Sequence, residues 1–283
     1  MYRGIIEEIY RRYGVRLSKS HISYWIRGAH NPYNGRRISS LELLEPSEEL
    51  TYVIGAKVGD GYVGKKSRVR KGYNEVMIGL KAGDGEFVEE FGRCLAKVLG
   101  RKQIRPRFRD DVGKYAVEVG SKTLYELLRK PVDLDRLKKY IEYCDRCMAA
   151  FIRGFADSEG CVDKNGNIII YNTDLKLLTY VKEHLRRLGI DSTGAMLKAR
   201  RGTIFYDHRT GKQYMSKKDY YIYIRASSNM NFYRYVGFAM TRRQSRLESY
   251  VNKRITSTPT PPPTISPTLN ILKVRTNIGA GGI

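Results

Sequence analysis

The sequence predicts an α+β protein made of two pseudo-symmetric copies of one αββαββα unit, preceded by a helix-turn-helix-like segment. Two observations carry this. An apolar, glycine-spaced helix ending in an acid occurs twice, once before Asp60 and once before Glu159. Each is followed by the same succession of alternating and helical apolar patterns. The copies lie roughly 100 residues apart, longer than a solenoid repeat, which indicates a duplicated domain rather than an array. A chain of 283 residues is long enough to bury the cores this requires.

Residues 1–46 form the leading segment. Ile5, Ile6, Ile9, Tyr10 and Tyr13 fall on one helical face, Gly14 ends that helix, and Leu17-Ser18-Lys19-Ser20 opens another. In the second helix Ile22, Trp25 and Ile26 can point inward, leaving Ser20, Tyr24 and Arg27 free to meet a duplex. The first repeat is expected over 47–143: an opening helix through Gly55 and Gly59, a strand at Tyr73–Ile78, a helix with Phe87, Phe91, Leu95, Val98 and Leu99 on one side, then strands at Gln103–Arg109 and Tyr115–Val119. The second repeat, 144–254, copies the plan with a helix through Gly154, a strand at Asn167–Tyr171, a helix with Leu175, Leu178, Val181, Leu185 and Leu188, strands at Asp191–Arg200 and Tyr220–Ile224, and a closing helix. From 255 on, Thr258-Pro259-Thr260-Pro261-Pro262-Pro263 and the final glycines cannot build a core, and a disordered tail is expected.

The 52 Lys and Arg against 29 Asp and Glu leave a formal charge of +23, and a polyanion is the expected partner. With 41% hydrophobic residues the charge rides on a folded body, which excludes protamine-like arms. The cations cluster on predicted strands: Lys65, Lys66, Arg68, Arg70 and Lys81 flank the first pair, and Arg105, Arg107 and Arg109 share one face of the second. Lys164, Lys198, Arg200, Arg201 and Arg225 repeat the pattern in the second copy. A signal peptide and long apolar spans are lacking, so a cytoplasmic protein without a membrane partner is expected. Cys144 and Cys147 have C-x-x-C spacing, but no second pair accompanies them and His184 and His208 sit at no usual zinc spacing. Free thiols are expected. Gly59-Asp60-Gly61-Tyr62-Val63-Gly64 satisfies G-x-G-x-x-G, but no apolar-periodic helix follows to receive a pyrophosphate, which excludes a dinucleotide site.

Small residues four apart stack on one helical face: Gly55 and Gly59 in the first copy, Ala150, Gly154 and Ser158 in the second. Glycine inside a helix costs about 1 kcal/mol relative to alanine, so the two stripes predict close backbone packing that offsets it. If the stripes face each other, Asp60 and Glu159 converge, an arrangement that needs a cation between the carboxylates. Hard oxygen donors suit Mg²⁺ or Mn²⁺ rather than zinc.

These two segments, VIGAKVGDG and IRGFADSEG, resemble the LAGLIDADG motif, and residues 47–254 resemble monomeric, two-repeat LAGLIDADG homing endonucleases of the archaeal intron-encoded kind. The family's metal-binding acid, in the eighth motif position, falls on Asp60 and Glu159. Its glycines fall on Gly55 and Gly154 and on Gly61 and Gly160. Lys57 and Arg153 stand where the family is usually apolar, and Val58 where an acid is common. The resemblance implies a saddle of two antiparallel sheets over double-stranded DNA, with the acids facing the minor groove and Mg²⁺-dependent hydrolysis leaving a short staggered break. It implies metal ligation by Asp60 and Glu159 with the carbonyls of Gly59 and Ser158. It also implies a basic residue near each site, with Lys138 or Lys139 and Arg242 or Arg243 as candidates. Some relatives assist intron RNA splicing and others only bind DNA. Both acid slots are filled here, which favours cleavage by a monomer.

Overall fold

The computed structural model describes residues 2–26, 41, 44–68, 73–199, 202, 204–207, 211–215 and 218–257. At its centre lie two helices, α3 (Glu48–Gly59) and α7 (Asp145–Glu159). Each starts on a capping side chain: Ser47 Oγ accepts from the Leu50 N–H, and Cys144 Sγ accepts from the Cys147 N–H at 3.3 Å. The glycine stripes do face each other. A Cβ on Gly55 would sit 2.1 Å from the Phe151 carbonyl oxygen, one on Gly154 2.3 Å from that of Tyr52, and one on Gly59 2.4 Å from Ser158 Cβ. Main chain therefore touches main chain, and Ser158 Oγ donates across the seam to Ala56 O at 3.2 Å. Tyr52, Ile54, Phe151 and Phe155 are buried in the surrounding core.

Each helix end runs directly into a four-stranded antiparallel sheet. The first comprises β1 (Tyr62–Arg68), β2 (Tyr73–Ala82), β3 (Arg107–Arg109) and β4 (Lys114–Gly120) in the order β1-β2-β4-β3. Ile78, Leu80, Val117 and Val119 alternate onto one face, where Phe87, Phe91 and Leu95 of α4 (Gly85–Val98) cover them. The second comprises β5 (Gly160–Val162), β6 (Ile168–Asn172), β7 (Met196–Ala199) and β10 (Asp219–Tyr223) in the order β5-β6-β10-β7. Here Val162, Ile168, Ile170 and Ile222 face inward toward α8 (Leu175–Arg187). The period of two places Tyr62, Lys66, Lys81, Arg107, Arg109, Lys114 and Glu118 on the opposite face of the first sheet, and Tyr171, Tyr221 and Tyr223 on that of the second. No described helix packs on either of these faces.

The structure departs from the sequence reading in several places. Strand β3 begins at Arg107, because Pro106 has no N–H to donate to the ladder; Arg105 lies outside it. Between β7 and β10 stands an unanticipated hairpin of β8 (Ile204–Asp207) and β9 (Lys212–Met215), with Gly211 at φ +66° before its second strand. The first repeat closes on α5 (Lys122–Leu128) and α6 (Leu134–Ile141). The second closes on a 3₁₀ turn, a single turn α9 (Asn229–Asn231), a π-helical segment Phe232–Val236 and α10 (Thr241–Ser257), which runs past the expected boundary at 254. The remainder of the expected tail lies outside the described residues. At the other end, α1 (Tyr2–Tyr13) and α2 (Lys19–Ile26) form a hairpin in which Ile22 is buried, but α1 buries none of its residues and leaves Tyr13 71% exposed. Among the described residues no helix is long and apolar enough to cross a membrane, and all four cysteines are free thiols.

Candidate active site

Asp60 is the C-cap of α3 and Glu159 the last residue of α7, so the seam that brings the backbones together also brings the two acids together. Glu159 Cγ lies 3.2 Å from where a Cβ on Gly59 would stand. Both carboxylates sit at the negative end of a helix dipole, where an acid is disfavoured. Burial raises Asp60 above its ordinary range, opposed by the charges of Arg243 and Lys114. Glu159 is pushed up to about 7, by burial first, then by the charge of Asp60 and that of Asp219. A hydrogen bond from Asn172 Nδ2 to Glu159 Oε1 at 3.2 Å holds its carboxylate in place and opposes the shift. Lys114 and Asp219, whose charges act on Asp60 and Glu159 respectively, belong to the outward sides of β4 and β10.

A half-buried glutamate raised by the charge of a neighbouring aspartate is a costly arrangement that a divalent cation relieves. The described residues contain no cluster of three or more His, Cys, Asp or Glu able to enclose a metal. A pair of carboxylates is a donor set that a cation keeping several waters, and binding through one or two carboxylates plus substrate phosphates, can use. Gly59 and Ser158 each precede one of the acids at the end of its helix.

Among the basic candidates, Arg243 is the one whose charge acts on Asp60. Its Nη1 donates to Ala156 O at 3.0 Å and Asp157 O at 2.8 Å, closing the last turn of α7. Arg242 is exposed on α10; Lys139 is exposed on α6, its Nζ 4.8 Å from the centre of the Tyr140 ring; Lys138 pairs with Asp135. Asp157, overlooked in the sequence, is 1% exposed and accepts from Tyr52 OH at 2.8 Å and the Ala239 N–H at 3.0 Å. Burial pushes it up to about 6. It ties α7 to α3 and to the segment before α10. The two charged departures from the motif are absorbed locally. Lys57 is buried and lowered to about 8 by desolvation, with Lys130 and Arg136 adding to the shift, and Arg153 Nη2 donates to Phe238 O at 3.4 Å.

The other candidate cations divide. Lys66 and Lys81 flank Glu118 at 3.5 and 3.7 Å, and Arg109 grips Asp111 at 2.8 Å. Arg107 and Lys114 stand exposed on the same face. Lys65 turns the other way, into a small cavity with Tyr125, Glu126 and Arg129. Lys198 pairs with Asp219 at 3.3 Å. Lys164 is exposed in the turn after β5, Arg225 is exposed just after β10, and Arg105 precedes β3. Ser20 is exposed on α2, its Oγ 2.7 Å from that of Ser18. Tyr24 and Arg68 belong to α2 and β1, their side chains undescribed, while Arg27, Arg70, Arg200 and Arg201 lie outside the described residues.

The chain is similar to known proteins in three respects. Residues 146–237 match the LAGLIDADG-like domain. An uncharacterized protein of Methanocaldococcus jannaschii is 30% identical over 250 residues, covering 87% of this chain and 86% of its own. A second from the same organism is 32% identical over 196 residues, covering 66% and 68%. The fold matches mesophilic variants of the homing endonuclease I-DmoI with a TM-score of 0.50 at 23% identity, over 71% of this chain and 97% of that one. I-DmoI in complex with DNA and Ca matches with a TM-score of 0.50 at 21% identity, over the same shares. With a glycine-stripe helix and a terminal acid in each of two tandem αββαββα repeats, the chain belongs to the LAGLIDADG family.

Proposed function

We propose that the chain is a site-specific double-strand DNA endonuclease, a homing endonuclease whose two repeats each serve one strand. The observation that carries this is the convergence of Asp60 and Glu159 at the paired ends of α3 and α7, where each helix runs into its own sheet. Its kinship with I-DmoI, whose structure was determined with DNA and Ca, supports the same reading.

In this reading the sheet faces seat a duplex and the acid pair meets its phosphates. Asp60 and Glu159 hold a divalent cation, Mg²⁺ or Mn²⁺, with the Gly59 and Ser158 carbonyls. When bound, the cation supplies Lewis-acid stabilisation of charge developing on the phosphate oxygens. The chain's own groups set the stage. Arg243 and Lys114 favour the ionised form of Asp60. Asn172 fixes the orientation of Glu159. Arg243 also pins the end of α7 through two main-chain carbonyls, so the acid behind it cannot drift. One cleavage position per repeat makes a single chain sufficient for a two-strand cut.

The test is digestion of a supercoiled plasmid pool carrying randomised inserts, with Mg²⁺ present. Linear product is expected with the native protein. Asp60→Asn and Glu159→Gln are expected to abolish it while duplex binding persists in a gel-shift assay. A doubly substituted protein that still linearises DNA would remove both acids from catalysis.

A further inference from the structure

Two of the four free thiols share the start of α7. Cys144 is the N-cap, and the N–H of Cys147, in the first turn, donates to its Sγ at 3.3 Å. Capping alone does not call for cysteine, since Ser, Thr, Asp and Asn are the residues that favour this position. The cap of α3 is Ser47, whose Oγ accepts from the Leu50 N–H three residues on. One central helix is thus capped with no sulfur at either place, so the fold does not require the pair that stands in the other.

The two thiols differ in access. Cys144 is half-buried, whereas Cys147 is 2% exposed. Burial raises the Cys147 thiol above its ordinary range, and the Cys144 sulfur, as hydrogen-bond partner and as charge, raises it further. Cys147 is therefore the poorer first nucleophile, and Cys144 is the sulfur that a reagent in solution meets. Once Cys144 is bonded to another sulfur it carries no charge to oppose the ionisation of its neighbour. The remaining cysteines stand elsewhere in the fold: Cys94 is buried on α4 beside Glu90 and Arg93, and Cys161 lies on β5, beyond the far end of α7.

We propose that Cys144 and Cys147 form a reversible thiol–disulfide site whose oxidant is a low-molecular-weight disulfide. Cys144, as thiolate, attacks one sulfur of the oxidant; that S–S bond breaks, and one thiolate leaves and takes a proton from water. Cys147 gives its proton to solvent and attacks the Cys144 sulfur, expelling the second thiolate. Two protein thiols are oxidised by two electrons, and one small disulfide is reduced to two thiols. The bridge closes the first turn of α7, where the chain passes from α6 into the central helix and Arg146 pairs with Glu48 of α3 at 3.3 Å. It lies at the end of α7 opposite Glu159, and the inference does not depend on the DNA-cleavage reading.

Oxidation of the full, folded chain with oxidised glutathione, followed by alkylation in denaturant and peptide mass mapping, tests this. The segment holding Cys144 and Cys147 is expected to lose two hydrogens, to take no alkyl group at either sulfur, and to recover both thiols after treatment with dithiothreitol. Cys147→Ala is expected to retain one glutathione on Cys144. Cys144→Ser, with the same cap residue as α3, is expected to retain none on Cys147. The proposal is overturned if the native chain keeps glutathione on Cys144 without closing the bridge, if Cys144 bridges instead to Cys94 or Cys161, or if both thiols still alkylate after oxidation. Glutathione on Cys147 in the Cys144→Ser chain overturns the assigned order of attack. The mapping of the native chain decides the bridge without either variant.

Discussion

Glu159 has two opposing demands placed on it: it must be poised beside Asp60 to hold a cation, and it must be buried without one while the protein folds. Its folded-state pKa of about 7 stands above its ordinary value of 4.5, so between those pH values the folded protein binds a proton that the unfolded chain releases. The stability associated with that proton is complete below 4.5 and is lost as pH rises through 7. Glu159→Gln removes the repulsion, so in metal-free buffer it should raise the melting temperature at pH 8 and have little effect at pH 4. Calorimetry at the two pH values checks this, and an equal shift at both would exclude the carboxylate's charge as its source. The two acids were legible from motif spacing. Asp157 was not, because its partners Tyr52 and Ala239 are brought to it only by tertiary packing. Arg243 and Arg242 are adjacent in sequence, and only the phase of α10 against α7 distinguishes them.

At the scale of elements, α3 and α7 are held by a seam in which glycine is a geometric requirement. Gly55→Ala or Gly154→Ala would drive a methyl group into a carbonyl oxygen of the other helix, and the backbone there has no flexible end to yield. Each is expected to destabilise the fold by about 1 to 3 kcal/mol or more, read as a lower urea midpoint at unchanged m-value. Gly64→Ala, with nothing within 4 Å of the added atom, is the matching control. This seam was readable from residues four apart. The inner faces of the sheets were readable too, since Ile78 and Leu80 or Ile168 and Ile170 alternate with outward residues. The β8–β9 hairpin was overlooked although Ile204-Phe205-Tyr206 is an apolar run, and the sequence reading passed directly from Asp191–Arg200 to Tyr220–Ile224. The short β3 was overextended because alternating arginines at 105, 107 and 109 mimic a strand across Pro106.

For the whole molecule the formal charge of +23 sets the scale of binding. If six to ten phosphates are engaged, affinity for duplex DNA should fall by about 10³ to 10⁵ between 50 and 200 mM salt, and a flat titration would exclude a polyanion as the partner. Removing residues 1–46 should shorten the protected footprint at one end while leaving cleavage in place; an unchanged footprint would confine that segment to a structural role. Sequence made the two-repeat plan plain, because each copy carries its own hydrophobic periods. It concealed the unequal endings of the repeats, which depend on contacts between them: Glu86 of α4 accepts from both the N–H and the hydroxyl of Thr241 at the start of α10. The join between α3 and α7 is built largely of main chain and small residues. Substitutions elsewhere in either half therefore leave the atoms that meet across the join unchanged.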